Sequence, residues 1–300
     1  MDAYITSPSA AMSELRAAFA HLPPPVIVYC KSHSGSRLLA RLMMAGGIWL
    51  GERRNESEDS ADILRLVEPL VLRHFPDFSR LFARGDHDIL ALAHDVITAH
   101  LRGRPEGCAW GWKLCETGYA LPLLHRIFPE ASFVHLLRDG RDVAFCDHVA
   151  PESAFWKKIY FSTDDIERWN GLKLTERAYL RTPHVFNAQH WVNSVTVGRA
   201  FGTMAGERYH EIRYEAVIAD PVGTMRGLFD ALGLAMDDKG VDASASTVHE
   251  GSVGKHRRRP AGQQRAALRV LGPTLRAFGY GLDDPAAGCF ARFMGRFRAS

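Results

Sequence analysis

The sequence predicts a single α/β domain with a mostly parallel central sheet flanked by helices. Two strand–loop–helix units support this fold class. In the first, the apolar run Val26–Cys30 leads through a loop of small residues into a helical pattern over residues 37–44. In the second, Ser132–Leu137 leads through a short polar turn into a helix from Asp142 onward. Strands that alternate with helices in this way pair in parallel, so we assign both to one sheet.

The remaining elements follow from periodicity and from residues that end helices. Residues 9–20 predict a helix stopped by three prolines, and residues 61–101 predict two or three helices. Residues 109–114 and 210–214 are strand candidates, and residues 224–232 are a helix closed by Gly233. Residues 150–190 have no clear period, and we expect them to be irregular. No internal repeat or linker divides the chain.

Composition bounds the class of protein. The chain has 300 residues, of which 46% are apolar and 24% charged, enough to bury one large core. The net charge of +3 is too small to predict binding to nucleic acid. The apolar stretch at residues 42–50 is much shorter than the roughly 20 residues of a membrane span, so we expect no transmembrane segment.

The cysteines indicate a reducing compartment. The sequence has five cysteines and no C-x-x-C pair, which fits neither a disulfide framework nor a zinc ribbon. The chain also starts without a basic region of the kind that opens a signal peptide. We therefore expect a cytoplasmic protein.

The loop between the first strand and its helix is a candidate phosphate site. Residues 32–37 read Ser-His-Ser-Gly-Ser-Arg, and such a loop directs backbone N–H groups and the positive end of a helix at one point. The only Gly-Lys pair, Gly254-Lys255, is followed by His256, so no G-x-x-x-x-G-K-[ST] motif is present. This predicts a P-loop-like nucleotide-binding core whose donor needs no metal.

A second phosphate clamp is predicted after the strand Ser132–Leu137. Arg138 and Arg141 lie three residues apart at the head of the next helix, where a guanidinium group can bind phosphate oxygens in pairs. Asp139 and Asp142 flank them. For these two carboxylates we prefer helix capping and orientation of the arginines to a catalytic role.

These segments resemble the bacterial-type sulfotransferases that use 3′-phosphoadenosine 5′-phosphosulfate (PAPS) and have the P-loop sulfotransferase fold. That family's second nucleotide motif reads strand, Arg-Asp-Pro-Arg-Asp-Val-Ala and then a serine, and residues 136–146 are similar to it. Other similar segments follow in the family's order: residues 26–39, 110–113, 128–131, 212–221, 252–257, 263–271 and 279–280. The resemblance implies one sulfotransferase domain over residues 1–300, with acceptor-side elements within residues 50–100 and 150–190.

The resemblance also implies which residues bind the nucleotide. The loop for the 5′-phosphosulfate corresponds to Lys31, Ser32, His33, Ser34, Gly35, Ser36 and Arg37. The 3′-phosphate and adenine sites correspond to Arg138, Cys146, Tyr214, Lys255, His256 and Arg257.

Four positions depart from the family pattern. Cys146 replaces a serine that hydrogen-bonds the 3′-phosphate, and a thiol is a weaker donor. Gly140 replaces a proline, which loosens the turn. His33 replaces a basic residue, so Lys31 or Arg37 is expected to supply the charge of the loop. His256 replaces an aromatic residue.

The resemblance implies sulfuryl transfer from PAPS to a hydroxyl or amine by in-line displacement, with 3′-phosphoadenosine 5′-phosphate (PAP) as product. Lys113, helped by Lys31 and the loop N–H groups, is assigned to the leaving phosphate. The base candidates are Glu56, Glu58 and Asp59, whose segment is equally typical of a solvated loop or a helix cap. His33 is a further candidate, although its ring could instead donate to the phosphosulfate.

Several alternatives stay open. The acceptor is a small molecule, a carbohydrate or a lipid, and the sequence does not choose among them or predict an oligomeric state. A magnesium-dependent nucleotide phosphotransferase is the competing enzyme class, although the missing Lys-Ser/Thr ending argues against it. A non-catalytic PAPS- or PAP-binding module is the other alternative, suggested by His33 and Cys146.

Overall fold

A computed structural model of the chain describes residues 9–75, 77–84, 86–146, 154–161, 182–246, 248 and 250–281. Its centre is a five-stranded, wholly parallel sheet in the order β2-β3-β1-β4-β5. The strands are β1 (Val26–Cys30), β2 (Ile48–Trp49), β3 (Ala109–Lys113), β4 (Ser132–Leu137) and β5 (Tyr209–Arg213). The predicted α/β fold with a parallel sheet is confirmed.

Helices connect and cover the strands. They are α1 (Ala10–Phe19), α2 (Ser36–Ala45), α3 (Ala61–His74), α4 (Ser79–Arg84), α5 (His87–His100), α6 (Leu121–Ile127), α7 (Gly140–Ala144), α8 (Ala154–Phe161), α9 (Pro183–Ala205), α10 (Tyr214–Ala219), α11 (Pro221–Ala231), α12 (Asp238–Ala245) and α13 (Ala261–Ala277). Short 3₁₀ turns lie at Cys115–Tyr119, Gly206–Arg208, Glu250–Ser252 and Lys255–Arg258. Within the described ranges, no helix is long and apolar enough to cross a membrane.

The central strand β1 is buried on both faces because helices cover the sheet on each side. Ile27 and Tyr29 pack into one core with α1, α3, α5 and α6. Val26, Val28 and Cys30, which point the other way, pack into a second core with α2 and α11. A third cluster joins α7, α9 and α13 beyond the end of β4.

The parallel register decides where the chemistry lies. β1 pairs with β3 and with β4, matching Val28 to Lys113 and Cys30 to Leu136. The carboxyl ends of β1, β3, β4 and β5 therefore meet at one edge of the sheet, where ligands bind in open α/β folds.

Two sequence-based boundaries differ from the structure. The last strand ends at Arg213, and Tyr214 begins α10 with its ring buried. Helix α8 also lies inside the segment of residues 150–190, which we expected to be irregular, and helix α9 begins inside it at Pro183. Its buried face includes Asn187, Gln189 and His190, so it lacks the apolar stripe that makes a helix visible in sequence. Residues 162–181 of that segment lie outside the described residues.

Candidate active site

The loop after β1 has the backbone conformation of an anion site. His33 and Gly35 both have positive φ angles, 69° and 89°, on either side of Ser34. The Ser34 N–H donates to the Lys31 carbonyl at 3.1 Å, and α2 begins at Ser36. Backbone that alternates in this way turns successive N–H groups toward the concave side, and the positive end of α2 lies beside it.

Lys31 is the buried cation of this loop. Its side chain is 2% exposed and its Nζ donates to Ser32 Oγ at 2.7 Å. Burial lowers the pKa of Lys31 to about 8, because a charged ammonium is disfavoured away from water. His33 and Arg37 are exposed, so of the two residues predicted to supply the charge of the loop, Lys31 is the one inside it.

Arg138 and Tyr214 close the loop from the neighbouring strands. Arg138, just beyond β4, donates from Nη1 to the His33 carbonyl at 3.0 Å and from Nη2 to the Ser252 carbonyl. Its guanidinium lies 4.5 Å from the centre of the Tyr214 ring. The same ring lies against Gly35, where an added Cβ would be 2.2 Å from ring atoms. Four chain segments therefore meet around one guanidinium group.

Two polar atoms in this cluster have no hydrogen-bond partner among the described residues. They are Ser34 Oγ and Arg138 Nε, and both are buried. An unpaired buried donor costs about 1–3 kcal/mol, so a ligand that pairs with both is strongly favoured. Each can donate a hydrogen bond to an oxygen of an anion.

Asp139 and Trp191 hold the turn that carries Arg138. Asp139 caps α7 by accepting from the Arg141 N–H at 2.9 Å, and it pairs with the Arg141 guanidinium at 2.7 Å. These contacts confirm the predicted capping and orienting role of Asp139. The Trp191 ring packs against Gly140, and Trp191 Nε1 donates to the Arg138 carbonyl at 3.0 Å.

Asp142 anchors residues 252–257, the late basic loop, a role that its position in the sequence did not reveal. Its carboxylate accepts from the Gly254 N–H at 2.8 Å, the His256 N–H at 3.0 Å and His256 Nδ1 at 2.7 Å. Burial opposes ionisation, but these bonds lower the pKa of Asp142 overall, so it stays a carboxylate. His256 is buried, and its Nδ1 is hydrogen-bonded to Asp142.

The late loop also reaches Cys146. Lys255 Nζ donates to Cys146 Sγ at 3.1 Å, and the Cys146 thiol is 3.4 Å from the Asp142 carbonyl. Two predicted 3′-phosphate residues thus lie side by side. Arg257, the third predicted residue of this loop, is exposed.

Lys113 ends β3 with its side chain 1% exposed. Its Nζ donates to the Ser57 carbonyl at 2.7 Å and to Asp59 Oδ1 at 2.6 Å. Burial alone would lower the pKa of Lys113, but Cys115 and Asp59 raise it overall, so the ammonium stays charged.

The other two acidic candidates lie elsewhere on the same loop. Glu58 accepts from Arg41 at 3.0 Å and from Arg54 at 3.2 Å. Burial opposes these arginines, but they lower the pKa of Glu58 overall. Glu56 is exposed. Of the three carboxylates, Asp59 is the one in contact with Lys113.

Three further groups at this edge were not assigned a role from sequence. Glu116 follows β3, is 8% exposed, and has a pKa raised to about 8 by burial. Glu215 accepts from the Asp139 N–H at 2.8 Å, and burial raises its pKa to about 7. Cys30 and Cys115 lie with their sulfurs 3.3 Å apart. Each of these residues comes within three positions of a predicted site residue, which is the signal that could have drawn attention to it.

Comparisons with known proteins agree with the family that the sequence resembles. The chain matches the model of the sulfotransferase family over residues 24–238. A comparison with curated protein sequences finds no match.

Similar solved structures include three sulfotransferases. A sulfotransferase domain from the curacin biosynthetic pathway is 15% identical, with 84% of this chain and 98% of that chain covered and a TM-score of 0.48. STF1 from Mycobacterium tuberculosis is 14% identical, with 88% of this chain and 81% of that chain covered and a TM-score of 0.48. Mouse sulfotransferase SULT7A1, complexed with PAP, is 13% identical, with 90% of this chain and 91% of that chain covered and a TM-score of 0.47. Because the family model matches well over half of the sequence, this chain belongs to the sulfotransferase family.

Proposed function

We propose that this sulfotransferase uses PAPS as its donor and transfers the sulfuryl group to a hydroxyl or amine of a small-molecule, carbohydrate or lipid acceptor. One observation carries the proposal. Three buried cations, Lys31, Lys113 and Arg138, follow or end three neighbouring strands at one edge of the sheet. Asp59 pairs with Lys113 within the protein, and a nucleotide with two separate phosphate groups supplies further negative charge to this cluster.

The two ends of PAPS suit different parts of the cluster. The N–H groups of residues 32–37, with Lys31 and Ser34 Oγ, suit the 5′-phosphosulfate. Arg138 Nε, together with Lys255 of the late loop and Cys146 just after α7, suits the 3′-phosphate. The resemblance assigns Tyr214 to the adenine, and its buried ring lies between Gly35 and the Arg138 guanidinium.

PAPS supplies an activated sulfuryl group whose transfer leaves a phosphate with additional negative charge. Lys113 is charged and buried, and Lys31 lies in the loop at the end of the adjacent strand, so both are suited to neutralise that charge. Removing one such donor costs about 3–4 kcal/mol in other enzymes. The prediction that no metal is needed stays a prediction.

A proton must leave the acceptor, and several groups are candidates to take it. Asp59 lies against Lys113 at 2.6 Å, which keeps it beside the reacting phosphate. Glu116, three residues beyond Lys113, is a buried carboxyl whose pKa of about 8 suits a general base near neutral pH. Glu56, Glu58 and His33 stay sequence-based candidates.

The decisive experiment is calorimetric titration with PAP, using AMP and ATP as controls, on the natural protein and on Arg138→Ala. We expect micromolar binding that requires the 3′-phosphate and is lost in the variant. Arg208→Ala, which removes an exposed arginine paired with Glu130, is the matched control and should bind normally. Binding of ATP with indifference to the 3′-phosphate would refute the PAPS proposal and favour the phosphotransferase. Tight PAP binding without transfer from PAPS to any acceptor would favour the non-catalytic module.

A further inference from the structure

Cys30 and Cys115 form a close pair beneath the phosphate loop. Their sulfurs are 3.3 Å apart, in hydrogen-bonding contact. Cys30 is the last residue of β1 and is followed directly by Lys31. Cys115 comes two residues after Lys113 at the end of β3. The pair therefore connects the two chain segments that carry the buried lysines.

The strand register brings the two backbones into the range that a disulfide needs. Val28 is paired with Lys113, and the Leu114 N–H continues the ladder to the Val28 carbonyl at 3.2 Å. Continuing that register places Cys115 opposite Cys30. Neighbouring strands lie about 4.8 Å apart, and disulfides span Cα separations of about 4.4–6.8 Å. Closing the bond requires the sulfurs to approach from 3.3 Å to about 2.05 Å.

Cys115 also contacts the start of α2, the helix that follows the phosphate loop. Its sulfur is 3.6 Å from Ser36 Oγ, at the first residue of α2. Movement of Cys115 toward Cys30 weakens this contact and shifts the position of Lys31 relative to Lys113. The hydrogen bond from Cys115 lowers the pKa of Cys30 despite burial, which increases the fraction of reactive thiolate.

We propose that Cys30 and Cys115 are an oxidative modification site, and that a disulfide between them weakens nucleotide binding. The oxidant is a peroxide. It converts one thiol to a sulfenic acid with release of water, and the sulfur of the other cysteine then attacks it, forming the S–S bond and releasing a second water. Two thiols and one hydrogen peroxide thus give one disulfide and two waters. A dithiol reductant reverses the reaction by thiol–disulfide exchange.

The consequence for binding rests on the proposed function, but formation of the bond does not. The test treats the reduced full-length protein with hydrogen peroxide, maps crosslinked peptides by mass spectrometry without reduction, and measures PAP affinity before and after. We expect a peptide linking Cys30 to Cys115 and a loss of PAP affinity of about tenfold or more, since losing one hydrogen bond to a charged group weakens binding by about that factor. Both changes should reverse with dithiothreitol.

Two variants separate this pair from the other thiols. Cys108→Ser leaves the pair intact and should crosslink and lose affinity like the natural protein. Cys115→Ser should form no crosslink to Cys30 and should keep its own untreated PAP affinity after peroxide, and Cys30→Ser serves the same purpose if Cys115→Ser does not fold. Absence of the Cys30–Cys115 peptide would overturn the proposal, as would full crosslinking with unchanged PAP affinity. If the reduced protein does not bind PAP at all, the proposed function fails, and the crosslink is still read from the peptide map.

Discussion

The ring of Tyr214 lies directly against Gly35, so closely that a Cβ at position 35 would be 2.2 Å from two ring atoms. Gly35 also has a φ of 89°, a conformation that side chains disfavour. The phosphate loop is thus held at Gly35 by Tyr214, which follows the end of β5. Tyr214 in turn supports Arg138, so the loop and the arginine clamp are one packed unit.

We predict that Gly35→Ala abolishes PAP binding. The methyl group must displace the Tyr214 ring, which disturbs Arg138 at the same time. Gly47→Ala is the control, because Gly47 also has a positive φ of 106° but no heavy atom near its added Cβ. The free energy of unfolding of Gly47→Ala, measured in urea, should fall by only about 1–2 kcal/mol, the conformational cost, and the variant should still bind PAP. Equal PAP affinities in the two variants would contradict the role given to the Gly35–Tyr214 contact.

A second prediction concerns Asp142. Asp142→Ala leaves the amides of Gly254 and His256 without their acceptor, at a cost of about 1–3 kcal/mol for an unpaired buried group. We expect faster hydrogen exchange at both amides and weaker PAP binding, because Lys255 lies between them. Asp142→Asn keeps an acceptor oxygen and should have a smaller effect. Unchanged exchange in Asp142→Ala would show that the loop is held by other contacts.

For Lys113, we predict that replacement by methionine slows turnover of PAPS by about 100- to 1,000-fold, the usual effect of removing one charged donor from a transition state. Methionine retains most of the buried side-chain volume. The measurement is release of PAP from PAPS, with Lys239→Met, at an exposed position, as the control. A rate within a few-fold of the natural protein would exclude Lys113 from the role at the leaving phosphate.

A fourth prediction follows from the pKa of Glu116, which burial raises to about 8 from an ordinary 4.5. Between these values the folded protein holds a proton that the unfolded chain has released, so stability falls as the pH rises from about 4.5 to 8. Glu116→Gln should remove this contribution. The difference in urea unfolding free energy between variant and natural protein should therefore change steadily from pH 5.5 to 7.5. A constant difference would mean that Glu116 is ionised in the folded protein.

Lys31 makes the stability of the fold change with pH in the opposite direction, and it does so at higher pH. Its pKa is lowered to about 8 from 10.5, so between these values the unfolded chain holds more protons and stability rises with pH. An anion beside Lys31 raises its pKa again. We therefore predict that PAP binding takes up a proton near pH 8, and that it weakens above pH 8. Calorimetry in buffers of different ionisation enthalpy measures the uptake, which should be smaller in Lys31→Arg because arginine stays charged.

Local sequence was sufficient for four of the five strands and for most of the helices beside them, but it did not predict the two-residue strand β2. β1 and β4 are short apolar runs that end at a small-residue loop and at an arginine turn, and both the parallel sheet and the family follow from these patterns. The long helix α9 was missed, because Asn187 and His190 are buried on it and remove the apolar stripe. A helix that packs on several sides at once has no simple period to detect.

The sequence by itself determined the fold class and the family, and it predicted the phosphate loop and the residues around the nucleotide. The tertiary structure decided which side chains are in contact: Asp59 with Lys113, Asp142 with the late loop, and Cys30 with Cys115. The physical reason is that hydrophobic periodicity depends on neighbours within a few residues. Contacts between charged groups depend on which strand ends the parallel sheet brings to the same edge, and the residues in contact lie far apart in the chain, 114 positions for Asp142 and His256.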